Sequence, residues 1–171
     1  MLKESEMSLS FEGHNASKGL YTEAQRERRD ATKWTTVQGV LAPVQFVVFL
    51  GSLGFVAGYL ITGDGYAIAT ASIVLKTTVL YIIMVTGAIW EKVVFGQYLL
   101  APAFFWEDIV SFAVIAFHTL YLFLLFSGLT SEGNLILIAL IAYFIYLINA
   151  IQFLWKFRQA RLEQNIEVSH A

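Results

Sequence analysis

The stretch VQGVLAPVQFVVFLGSLGFVAGYLI, residues 37–61, holds no Asp, Glu, Lys, Arg or His in 25 positions. As a helix rising about 1.5 Å per residue it outreaches a hydrocarbon core of about 30 Å. A helix also pairs its backbone N–H and C=O groups internally, which a bilayer demands. The stretch is therefore read as a membrane span. Residues 66–90, 104–126 and 134–155 repeat the pattern. The sequence predicts an all-α protein, an integral membrane four-helix bundle occupying residues 37–155.

Working outward, Gly63-Asp64-Gly65 and the segment 127–133 are polar turns, and 91–103, with Gly96 and Pro102, is the longest internal connection. Pro43 and Pro102 each follow Leu-Ala and are read as prolines near helix starts. Residues 1–20 are polar, Ser- and Glu-rich, and read as a disordered tail without a cleavable signal. Residues 21–36 read as a short amphipathic interfacial helix. Thr22 and Gln25 fit a capping box, and Trp34 is placed at the membrane interface. Residues 156–171 form a basic tail. Arg26, Arg28, Arg29 and Lys33, then Lys92, then Lys156, Arg158 and Arg161 all fall on one side of the spans. The other side carries Asp64 and Glu132. The positive-inside bias predicts that both termini are cytoplasmic.

Hydrophobic residues make up 57 % of the chain and charged ones 14 %, against about 25 % charged in an ordinary soluble domain. Lipid is the expected surrounding. A net charge of −2 gives no reason to expect nucleic acid. The absence of cysteine excludes disulfides, thiolate metal sites and cysteine nucleophiles. No Gly-rich phosphate loop and no HExxH occur, and a single histidine in the spans rules out bis-histidine haem within one chain. Aromatics at 15 % suit either lipid-facing belts or a pocket for a flat conjugated ligand.

Ionisable groups inside a bilayer cost about 2.5–3.5 kcal/mol each on insertion scales and usually face the bundle interior. Lys76 sits near the middle of the second span, as a structural pair or as an anchor for a substrate carboxylate. His118, at mid-membrane in the third span, is either a donor to a neighbouring helix, a proton carrier, or an axial ligand to a tetrapyrrole magnesium. Glu107 shares its helix face, three turns away. Glu91, Lys92, Trp106, Glu107 and Asp108 gather at the cytoplasmic ends of spans two and three. Carboxyl groups there suit general acid–base work, or simply complement a helix dipole. Gln45, Asn149 and Gln152 suit interhelical hydrogen bonds or the orientation of a water.

Certain strings are too polar-studded to be generic span sequence. They are RRDA (28–31) leading into WTTVQGVLAPVQF (34–46), MVTG (84–87) with IWEKVVFG (89–96), LAPAFFWED (100–108), and INA (148–150) with QF (152–153). Over about residues 25–163 the sequence resembles the vinyl bacteriochlorophyllide hydratase family. The resemblance implies hydration of the C3 vinyl group of chlorophyllide a, or of a related bacteriochlorophyllide, to 1-hydroxyethyl. It implies a multi-pass protein of the bacterial inner membrane, cytoplasmic or photosynthetic. It implies no added cofactor, since magnesium travels with the substrate and the protein needs no metal of its own. Neighbouring pigment-synthesis enzymes or a second copy of the chain are the expected partners besides lipid.

For that chemistry Glu107 is expected to be the acid, with Glu91 or Asp108 as the water's base and His118 relaying protons or ligating magnesium. Trp90 and Trp106 would wall the macrocycle, Lys76 or Lys92 would hold its propionate, and Asn149 would help bind. The alternative is a non-catalytic membrane tetrapyrrole carrier, which needs the aromatics and His118 but not the carboxylates.

Overall fold

The computed structural model describes residues 19–169, with side chains to Leu162. The expected disordered tail, apart from its last two residues, lies outside the described residues. Those described form five helices and no strand. They are α1 (Glu23–Ala31), α2 (Lys33–Thr62), α3 (Tyr66–Phe95), α4 (Phe105–Ser127) and α5 (Glu132–Ser169). The last four are long and apolar enough to cross a membrane, and the chain is a four-span membrane protein.

Local chemistry sets the bounds. Thr22 and Gln25 make the capping box that opens α1. Thr32 is extended at φ −86°, ψ 138°, and its Oγ accepts from the Trp34 N–H, so it ends α1 and caps α2. Lys33 and Trp34 therefore belong to the first span rather than to the interfacial helix. Gly63 (φ 76°) and Gly65 (φ 87°) make the tight turn to α3 in a backbone region that side chains rarely adopt. Gly96 (φ 88°) ends α3 five residues beyond Trp90, so Glu91 and Lys92 ride on the helix. Pro43 lies in the interior of α2, not at its start. The segment after Trp155 continues α5.

Packing pairs the helices as two close hairpins, α2 with α3 and α4 with α5, which meet along a looser seam. Toward the two tight turns the seam is filled by Val56, Ala69, Ile73, Tyr121, Ile136 and Ala139. At the opposite, basic end a separate cluster forms from Tyr21, Trp90, Val94 and Phe104. Arg29 lies 4.8 Å from the Tyr21 ring centre, and burial pushes the Tyr21 phenol up to about 12, so it stays neutral. Ile61, Phe126, Phe144 and other large apolar side chains point outward, as expected against lipid.

Candidate active site

The polar residues that the sequence places in the spans face inward. Lys76, Glu91, Glu107, Asp108, His118 and Asn149 are all buried. They form two groups at different depths of the seam.

The first group lies at the basic end. The last turn of α3 contributes Glu91, the first turn of α4 contributes Glu107 and Asp108, and α5 contributes Lys156. Lys156 Nζ donates to Glu107 Oε2 at 2.7 Å. The Glu107 backbone oxygen accepts from Asn149 Nδ2 at 2.9 Å. Ser111 Oγ lies 2.8 Å from that oxygen and 3.2 Å from Asn149 Oδ1. Asn149 thus fixes the first turn of α4 to α5. Asp108 and Glu91 face each other, and each also holds the connecting loop. Asp108 Oδ2 accepts from the Leu100 N–H at 2.6 Å, and Glu91 Oε2 from the Ala101 N–H at 3.2 Å. Leu100 is left-handed at φ 60°, a conformation costing about 1–2 kcal/mol for a residue with a Cβ. The two carboxyl groups hold the backbone there.

Two clefts open beside this group, and Lys156 lines both. One, of about 310 Å³, is bounded by Glu107, Ile151, Gln152, Trp155, Lys156 and Gln159. Gln152 Oε1 is a buried acceptor with no partner among the described residues. The second, of about 430 Å³, lies between the loop, with Pro102 and Ala103, and the segment preceding α1.

The second group lies half-way along the seam. Lys76 and His118 are nearly inaccessible, at 0 % and 1 % exposure, and Lys76 Nζ contacts His118 Nε2. His118 Nδ1 is 2.7 Å from the Val114 carbonyl. A carbonyl can only accept, so Nδ1 carries the hydrogen, and a neutral ring leaves Nε2 as the acceptor for Lys76. Lys76 Nζ also lies 4.1 Å from the Tyr146 ring centre and 5.2 Å from that of Tyr143. Tyr143 hydrogen-bonds Ser52, which in turn meets Ser72 at 2.7 Å.

The structure keeps the two depths that the sequence distinguished, and within each it disperses part of the expected set. Lys76 is 15 residues from Glu91 on one helix, roughly 22 Å along its axis. Both ring nitrogens of His118 are occupied, so it offers no free ligand to magnesium in this arrangement. Lys92 is exposed and closes the end of α3 on the Gly96 carbonyl at 2.6 Å. Trp106 is 69 % exposed on the outer surface and walls no interior cleft. Trp90 is buried, but its Nε1 donates to Thr35 Oγ at 2.9 Å, away from the cleft beside Glu107. Lys156 was assigned only to a basic tail. The signal for it was present: Asn149, Gln152 and Lys156 fall at i, i+3 and i+7, one face of a helix. No cluster among the described residues has three or more His, Cys, Asp or Glu placed to hold a metal.

Comparison with known proteins bears on this arrangement. The family model described as 2-vinyl bacteriochlorophyllide hydratase matches residues 21–159, which take in α1 and all four spans up to Lys156. A relative from Cereibacter sphaeroides with that name is 69 % identical over 144 residues, covering 84 % of this chain and 89 % of its own. One from Rhodobacter capsulatus, also so named, is 64 % identical over 146 residues, covering 85 % of each. No solved structure is significantly similar. A match that spans both buried polar groups, at such identity, places the chain in the 2-vinyl bacteriochlorophyllide hydratase family.

Proposed function

We propose that the chain adds water across the vinyl side chain of a chlorophyllide or bacteriochlorophyllide, as a hydro-lyase in bacteriochlorophyll synthesis. The supporting observation is the cleft that brings a carboxyl group, an ammonium and an unpartnered carbonyl oxygen against an apolar wall. These are Glu107, Lys156 and Gln152, beside Ile151 and Trp155.

Glu107 is the one carboxyl group among the described residues lining that cleft. Ion-paired with Lys156 at rest, it takes up a proton from the Glu91 and Asp108 side and gives it to the terminal vinyl carbon. The cation forms on the inner carbon, where the conjugated ring spreads the charge. A water then attacks that carbon. It loses one hydrogen to the Glu107 carboxylate just produced, and its other hydrogen is directed to Gln152 Oε1. One group thus serves as acid and then as base, and atoms balance with no electron carrier. Lys156 steadies the carboxylate between the two steps. Glu91 and Asp108, beside Glu107 at the basic end, connect it to a proton source while they hold the loop. Magnesium is part of the substrate. The Lys and Arg bias supports reading this end, and both termini, as lying at the cytoplasmic face of the bacterial inner membrane.

The test is to incubate membranes bearing the protein with chlorophyllide a. A blue-shifted red band and a mass gain of one water are expected, and Glu107→Gln should abolish both while pigment still binds. Hydration surviving in Glu107→Gln removes the acid from this account. Binding without hydration by the unaltered chain favours the carrier.

A further inference from the structure

The mid-seam group takes no part in that chemistry, yet its Lys76 is the most deeply buried basic side chain among the described residues. A lysine ammonium has three N–H donors. His118 takes one, and among the described residues nothing accepts from the other two. No carboxylate pairs with Lys76 among the described residues; the neighbours on its other side are the faces of Tyr143 and Tyr146. Buried charged donors are ordinarily satisfied, above all in a bilayer. A second polar group nearby is also unsatisfied. Gln45 is 2 % exposed, and among the described residues neither its amide nitrogen nor its amide oxygen has a partner. It lies one turn from Phe49 on the same face of α2, and the Phe49 ring is 4.8 Å from the Tyr146 ring that Lys76 covers. Taken over their whole length, the two hairpins pack against each other less closely than the helices within each. On the lipid side one hydrogen bond closes the seam, Tyr81 to Thr119 at 2.7 Å.

We propose that Lys76 and Gln45 form a carboxylate-binding site half-way along the seam, which takes the free propionate of the tetrapyrrole when the hairpins part. This rests on the hydratase reading, whose substrates carry an unesterified acid, and adds the residues that hold that acid. The lysine supplies charge and the glutamine amide a second donor. The macrocycle then runs along the seam, and its opposite edge, with the vinyl group, points toward Glu107. An ester lacks the charge and gains nothing from Lys76.

The experiment measures equilibrium binding, not turnover. The probe is a magnesium-free chlorin with ethyl in place of vinyl and one free propionic acid, compared with its methyl ester. Binding is followed by fluorescence quenching on the purified full chain in detergent. The acid should bind the unaltered protein at least about tenfold more tightly than the ester, the worth of one hydrogen bond to a charged group. Lys76→Met should erase that preference while ester binding stays within about twofold. Gln45→Leu should reduce the preference, and Gln45→Glu should reverse it by repelling the acid. Equal binding of acid and ester by the unaltered protein overturns the proposal without any variant. A preference that persists in Lys76→Met overturns it too. Loss of hydration in Glu107→Gln with no acid preference would leave the reaction assigned and this site refuted. A Lys76-dependent preference in a protein that hydrates nothing would do the reverse.

Discussion

At the basic end of the bundle each buried acidic side chain among the described residues has a cation or a backbone N–H on it, and Glu91 and Asp108 also face each other. Half-way along the seam, Lys76 meets a neutral ring nitrogen and two aromatic faces. The difference in partners separates two jobs. Compensated groups hold a shape and can pass a proton locally, because the charge left behind is already balanced. A lysine with no anion beside it in a low-dielectric seam is costly to charge until an anion arrives, which makes it a place for affinity and selection. Depth reinforces the division. The basic end borders water and opens on clefts, whereas the mid-seam group is closed on all sides.

The largest effect expected from disturbing this contrast is on rate. Glu107→Gln keeps the shape of the side chain and removes its proton, and should slow vinyl hydration by about 10²- to 10⁴-fold. The decrease in substrate absorbance in isolated membranes reads it, and a rate within tenfold of the parent would shift the acid elsewhere in the cluster. Next comes stability at the same end. Asp108→Ala strands the half-buried Leu100 N–H and should lower the unfolding free energy by about 1 kcal/mol, measured by denaturation in detergent. Asp108→Asn, which retains an acceptor oxygen, should recover most of that loss. If Asn restores stability but not rate, Asp108 works through its proton as well as through the loop.

A smaller change is expected toward the other end of the seam. Ser52→Ala removes the partner of Tyr143 and Ser72 and should cost about 0.6 kcal/mol, with little effect on rate. A strong loss of activity there would tie the two depths together and blur the division drawn above. Trp106→Leu should do least, leaving both rate and stability within error, because that ring faces outward. A large defect would return Trp106 to the pigment site.

The sequence alone determined the number of spans, their helical character and which side chains had to face inward. Bilayer thickness and the cost of exposed backbone and charge admit few other solutions, so the uncharged run 37–61 and the isolated Lys76 and His118 were readable without a neighbour in sight. Only the tertiary structure decided which of those buried groups meet. Glu107 finds Lys156 across 49 positions, Lys76 finds His118 across 42, and Asp108 turns back to a loop amide. Helical periodicity fixes the face on which a residue lies, but not which helix stands opposite or at what height. Those depend on how the two hairpins dock, and docking in lipid rests on close packing and a few hydrogen bonds, which leave no periodic trace in one chain.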